Sequence, residues 1–110
     1  MKRIFIQTLI FSKRLDERCC SNLLELIEGE VLDNPQAGDV IPGSGGVRKL
    51  RIADSSRGKG KRGGFRVLFL DLPDRELTYL IYFYGKNESE NLSAEQKRQI
   101  SHLVKILKED

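Results

Sequence analysis

Arg48, Lys49, Arg51, Arg57, Lys59, Lys61, Arg62 and Arg66 all fall between residues 48 and 66, a stretch in which Asp54 is the sole acid. Elsewhere acidic side chains outnumber basic ones, so the formal net charge of +3 conceals one strongly positive segment on a body of opposite sign. That distribution suits docking to a polyanion. Phosphate recognition calls for donors that approach oxygens from several directions. Arginine supplies a rigid bidentate fork and lysine a movable point charge. In VRKLRIA, strand alternation places Lys49 and Arg51 on one face, about 7 Å apart along the backbone, with Leu50 and Ile52 on the other. Arg48 shares parity with Leu50 and is expected at the strand's start, its head in solvent. Arg66 begins the following strand and can reach the same cleft. Arg57, Lys59, Lys61 and Arg62 occupy a loop in which Gly58, Gly60, Gly63 and Gly64 permit a close backbone approach. The cluster does not sit on a helix, which disfavours a helix-in-groove DNA reader. Composition alone stops at polyanion binding, with a merely solvated charge run as the bland alternative.

Other chemistry-bearing residues carry weaker signals. Cys19 and Cys20 are adjacent and are the only cysteines. They form neither a zinc site nor a C-x-x-C motif, and reduced, partly buried thiols are expected. His102, the single histidine, lies in a helical pattern between Ile100 and Leu103 and reads as a surface or interfacial residue. Tyr79 and Tyr82 have an apolar strand context and are expected to pack. Tyr84, beside Gly85-Lys86, is the better candidate for contact with RNA, because exposed aromatics stack on unpaired bases. GSGG at 43–46 lacks the setting of a nucleotide-binding fingerprint and is expected to shape the approach to the second strand. Metal and cofactor sites are not expected, since histidines and carboxylates do not cluster.

The elements that must position these residues follow from periodicity. KRIFIQT alternates as a short first strand. Residues 11–18 and then SNLLELIEGEVL read as two helices, the second with Leu23, Leu24, Ile27 and Val31 as its apolar stripe. Ser21 is a candidate cap for that helix and Asn34-Pro35 its terminator. PQAGDVIPGSGG is expected to be loop. FRVLFLDL and LTYLIYFY, joined at Pro73-Asp74, form an antiparallel hairpin, and apolar residues on both parities imply cover on both faces. Ser93 and Gln96 fit a capping box ahead of a terminal helix carrying Ile100, Leu103, Val104 and Leu107. At 110 residues, with 39% apolar and 32% charged side chains, one domain over residues 1–110 is expected. The basic-then-apolar opening MKRIFIQTLIF lacks a small-residue cleavage site, and apolar runs stay well short of the roughly 20 residues a bilayer span needs. A cytoplasmic protein without membrane association is therefore expected.

Two separated motifs, GDVIPGSGGVRKLRIADSSRGKGKRGGFRVLF and YFYGKNESENLS, together with the opening FIQTLIFSK and the terminal helix, resemble the RelE/HigB superfamily of bacterial toxins, in its HigB-like branch. The resemblance covers nearly the whole chain. It implies an α+β fold with a four-stranded, mainly antiparallel sheet packed against two N-terminal helices and a C-terminal helix. It implies a ribosome-dependent endoribonuclease that cuts messenger RNA in the aminoacyl site and inhibits translation, without a cofactor. The implied partners are a cognate antitoxin, the ribosome and its message, and operator DNA only indirectly, through the antitoxin complex.

Carried over position by position, the resemblance assigns catalytic roles to Lys49, Arg51, Arg66 and Lys86. It matches Arg57, Lys59, Lys61 and Arg62 to a basic loop that contacts messenger or ribosomal RNA, and the charge cluster and the strand-exit aromatic add Arg48 and Tyr84 as expected RNA or ribosome contacts. The RelE branch has an arginine where this chain has Asn87, and a late tyrosine whose place is taken approximately by Ser93. The implied reaction is metal-independent phosphoryl transfer, in which a ribose 2′-hydroxyl attacks its neighbouring phosphate and expels the 5′-oxygen. Alignment, proton transfer and charge stabilisation are its requirements. The rival reading is a non-catalytic RNA- or antitoxin-binding protein on the same fold.

Overall fold

The computed structural model describes residues 3–17, 22–53, 64–85 and 92–109. In chain order the elements are β1 (Ile4–Gln7), α1 (Leu9–Glu17), α2 (Leu23–Asp33), β2 (Asp39–Val40), β3 (Arg48–Ile52), β4 (Phe65–Leu72), β5 (Leu77–Gly85) and α3 (Ala94–Glu109). The strands form one mixed sheet in the order β1-β5-β4-β3-β2. Only β1 with β5 is parallel; the remaining pairs are antiparallel. The α+β expectation with three helices holds, but the sheet has five strands instead of four. The addition is β2, inside the segment expected to be loop.

A strand of two residues leaves no alternation to detect, and β2 is held by backbone geometry instead. Gly38 has φ +79°, and a Cβ there would collide with the Lys49 carbonyl, so only glycine lets the chain close onto β3. Arg48 Nη1 donates to the carbonyls of Gln36 (2.9 Å) and Gly38 (3.2 Å), bracing the same turn. The Arg48 head thus reaches the surface, as its strand-start position suggested, and is tied there to backbone carbonyls. The following turn closes around Ser44. Its Oγ donates to Ile41 O (2.6 Å) and accepts from Val47 N (3.0 Å), while Ile41 N donates to Val47 O (2.8 Å).

The β4–β5 hairpin turns through a 3₁₀ segment at Pro73–Arg75, as Pro73-Asp74 predicts, with Glu76 left-handed at φ 53°. Further along the ladder Leu68 faces Tyr82 but Phe69 faces Leu80, so Ile81 is an extra residue in β5. The bulge switches the parity of β5, so that Tyr79 and Tyr84 face the same side although one number is odd and the other even. Leu80 and Phe83 pack on one face of the sheet while Tyr79, Ile81 and Tyr84 pack on the other. Thr8 binds the bulge to α1: its hydroxyl donates to Ile81 O (2.7 Å) and accepts from Phe11 N (3.1 Å), capping the helix.

Helices α1 and α2 cover one face, where Phe11, Ile27 and Val31 meet Leu50, Val67, Phe69, Leu80 and Phe83. Helix α2 ends at a C-cap Asn34, as Asn34-Pro35 predicts, whereas Asn22 occupies the N-cap without a side-chain hydrogen bond and Ser21 lies outside the described residues. Helix α3 covers the other face through Ile100 and Val104. Its capping box forms as the S-x-x-Q spacing predicts, with Ser93 N donating to Gln96 Oε1 (2.9 Å) and Gln96 N to Ser93 Oγ (3.1 Å). At its other end Arg75 donates to the carbonyls of Leu107 (2.9 Å) and Lys108 (2.5 Å), satisfying C-terminal carbonyls from the hairpin turn. Among the described residues no helix is long and apolar enough to cross a membrane.

Candidate nucleic-acid interface

The ladder brings the strand cations together. Arg51 of β3 lies directly opposite Arg66 of β4, which in turn lies opposite Tyr84 of β5. Lys49 lies opposite Leu68, whose side chain belongs to the α3 face. Lys49, Arg51, Arg66 and Tyr84 thus share one sheet face, while Leu50 and Ile52 point into the core beneath α1 and α2. The alternation read from VRKLRIA is the observed one. Two arginines directly opposite each other repel. Such a row is more comfortable with an anion between the guanidinium groups.

Arg66 is 7% exposed, with Nη1 donating to Gly64 O at 3.3 Å. Tyr84 is 1% exposed, so its ring is not available for stacking on a base in this form; the stacking contact expected of it is replaced by a packed ring. Its hydroxyl is fully buried and has no hydrogen-bond partner among the described residues. Burial pushes the phenol's pKa up from its ordinary value, with Arg66 and Arg51 pulling it the other way. A buried hydroxyl without a partner is costly and uncommon. Here it sits within the field of both arginines. Tyr82 is half-buried beneath the Arg14 guanidinium, 4.8 Å from its ring centroid, and Tyr79 is buried, so both pack as expected.

Beyond this row, toward β2, lies a groove of about 190 Å³ lined by Asp39, Val40, Ile41, Pro42, Lys49, Arg51, Leu92 and Lys97. Lys97 stands in the first turn of α3, where helical spacing alone suggests a solvated position. It comes to the groove because α3 covers the sheet face that carries Lys49 and Arg51, and Leu92 and Lys97 line the groove with them. An apolar hollow of about 250 Å³ on the same side, between α3, α1 and β5, is lined by Ile10, Ile81, Tyr82, Leu92, Gln96, Gln99, Ile100 and Leu103. It has no charge with which to hold phosphate.

The expectations for Arg57, Lys59, Lys61, Arg62 and Lys86 lie outside the described residues, as do those for Cys19 and Cys20. Among the described residues no three histidine, cysteine or carboxylate side chains gather as a metal site. His102 is exposed on α3.

Residues 16–109 match the family described as RelE toxin of RelE / RelB toxin-antitoxin system. The chain belongs to that toxin family. A solved structure of an E. coli toxin RelE mutant in the free state superposes with a TM-score of 0.59, over 82% of this chain and 90% of that one. At 16% identity that likeness is one of fold. It places a RelE-type sheet under the basic row of this RelE-family protein.

Proposed function

We propose that this RelE-family protein is a ribosome-dependent endoribonuclease of the HigB-like branch, cutting messenger RNA in the aminoacyl site and held inactive by a cognate antitoxin. The observation that carries the reading is the placement of Arg51 opposite Arg66 on the sheet face where Lys49 also projects. Three cationic heads on one rigid surface suit a phosphoryl group gaining negative charge, and sheet residues hold such geometry better than loop residues do.

In this reading Arg66 stabilises the phosphoryl oxygens as the 2′-hydroxyl attacks. Arg51 and Lys49 align the backbone. Lys86, outside the described residues, is the candidate for proton transfer. Arginine holds its proton too tightly to act as base. The ribosome contributes by fixing the message in line for attack. Arg57, Lys59, Lys61 and Arg62 contact RNA, Arg48 supports them from the β2 turn, and the antitoxin complex, not the toxin alone, acts on operator DNA.

The test is primer-extension mapping on programmed ribosomes at saturating occupancy, comparing wild type with Arg66→Lys. Discrete aminoacyl-site cuts by wild type, lost in Arg66→Lys while ribosome association persists, are expected. Bound wild-type protein that makes no cuts across varied codons would leave the non-catalytic RNA- or antitoxin-binding reading in its place.

A further inference from the structure

The groove beside the arginine row has a composition that its position alone does not require. Most described arginines are committed within the fold. Arg3 pairs with Asp71 at 2.8 Å, Arg14 donates to Phe83 O at 2.8 Å, Arg48 and Arg75 hold carbonyls, and Arg98 pairs with Glu95. The side chains of Lys49, Arg51 and Lys97 have no hydrogen bond or ion pair among the described residues, and all three line this one groove. Lys97 is placed against the helix dipole. The first turn of α3 carries partial positive charge, where a lysine is unfavourable. The nearby Glu95 pairs with Arg98 instead. Three cations without a side-chain partner among the described residues converge on one concavity, one of them in the first turn of a helix, and that arrangement suits a bound anion.

The other lining residues define what accompanies that anion. Val40, Ile41, Pro42 and Leu92 give the groove an apolar side suited to the face of one heterocycle. Asp39 stands directly opposite Lys49 in the β2–β3 ladder yet forms no ion pair with it. A carboxylate repels phosphate, so the β2 end is reserved for a hydrogen-bond donor. On a nucleotide the donors are the exocyclic amino groups of adenine, cytosine and guanine, the ring imino N–H of uracil and guanine, and the ribose 2′-hydroxyl; of these a carboxylate held at the groove's edge discriminates best through an amino group or the 2′-hydroxyl.

We propose that the groove formed by Asp39, Pro42, Lys49, Arg51, Leu92 and Lys97 is a subsite for one RNA nucleotide, with Lys97 binding its phosphate and Asp39 accepting a hydrogen bond from its base or ribose. The proposal extends the RNA reading above to the nucleotide flanking the one attacked. It adds a discriminating carboxylate to a surface otherwise built for charge.

Fluorescence anisotropy of the full chain with labelled hexanucleotides of adenosine, cytidine or uridine, each as RNA and as its 2′-deoxy counterpart, tests it across a salt series. Lys97→Ala is expected to weaken binding to every sequence about tenfold. It should also reduce the slope of log affinity against log salt by about 0.7, the value for one single-strand phosphate contact. Lys105→Ala, an exposed lysine farther along the same helix, should change neither. Asp39→Ala should level either the preference for amino-bearing bases over uridine or the preference for RNA over its 2′-deoxy form, telling base from ribose. Equal affinities and slopes for wild type, Lys97→Ala and Lys105→Ala, or no measurable wild-type binding, overturn the subsite. So does an Asp39→Ala protein that keeps wild-type discrimination in both comparisons. The measurement involves no cleavage, so ribosomes left uncut alongside Lys97-dependent binding would remove the nuclease assignment alone.

Discussion

The two faces of the sheet are built to opposite specifications. Beneath α1 and α2, Phe11, Ile27, Val31, Val67, Phe69, Leu80 and Phe83 are all fully buried, and Phe83 meets Phe11 and Phe65 edge-on at centroid separations of 5.0 and 5.9 Å. Every side chain there is satisfied by contact with another. On the opposite face α3 seals Leu68, Leu70 and Ile81, but toward β3 the same surface changes to Lys49, Arg51 and Arg66. That end holds opposed like charges and a buried hydroxyl without a partner among the described residues. The difference teaches where stability is made and where it is conceded. Charge and a buried polar group gather at the end proposed above to meet RNA, as they do where function competes with folding.

The largest effect should come from damaging the sealed face. Phe83→Ala removes a ring that joins two others and is expected to cost about 3–5 kcal/mol by denaturant unfolding. The fraction that remains folded should still bind RNA, and loss of binding from that fraction would show that the faces are not separable. On the open face the consequences reverse. Arg66→Ala should lower ribosome-dependent cleavage by about 10²–10³-fold, as loss of a charge-stabilising donor does, with a smaller loss of ribosome association. Equal losses in both assays would reduce Arg66 to a binding residue.

Gly38→Ala tests the seam between the groove and the core. A Cβ there falls within 2.8 Å of the Lys49 carbonyl carbon, and φ is +79°. A loss of about 1–3 kcal/mol is expected, with Asp39 drawn away from the groove. An unchanged melting temperature would show that β2 tolerates displacement.

Tyr84→Phe gives the smallest change and the sharpest contrast. Deleting a buried hydroxyl without a partner should leave stability unchanged or raise it by up to about 1 kcal/mol, the reverse of Phe83→Ala. The wild-type phenol is held protonated by burial, so the folded state keeps a proton that the unfolded state releases above pH 10.0. Stability tied to this group is complete below that pH and falls as pH rises past it. Tyr84→Phe should lack that part of the alkaline loss in a pH series of thermal melts. A clear drop in stability at neutral pH would mean that the hydroxyl has a partner in solution.

Much of this architecture is written in local pattern. Alternation in VRKLRIA sufficed to separate Lys49 and Arg51 from Leu50 and Ile52, and the S-x-x-Q spacing sufficed for the start of α3, because both depend only on neighbours along the chain. The concentration of basic residues between 48 and 66 was equally legible, since clustering of charge needs no fold to be seen. What stayed hidden depends on which elements meet. β2 consists of two residues and exists because Gly38 and the Arg48 brace close it onto β3. The bulge at Ile81 shows only in the pairing of β5 with β4. Lys97 and Asp39 lie 58 positions apart in the chain, and helical or strand periodicity gives neither a reason to face the other. Only the packing of α3 across the sheet sets both beside Lys49 and Arg51, because position in a groove is a property of several elements at once and of no single stretch of sequence.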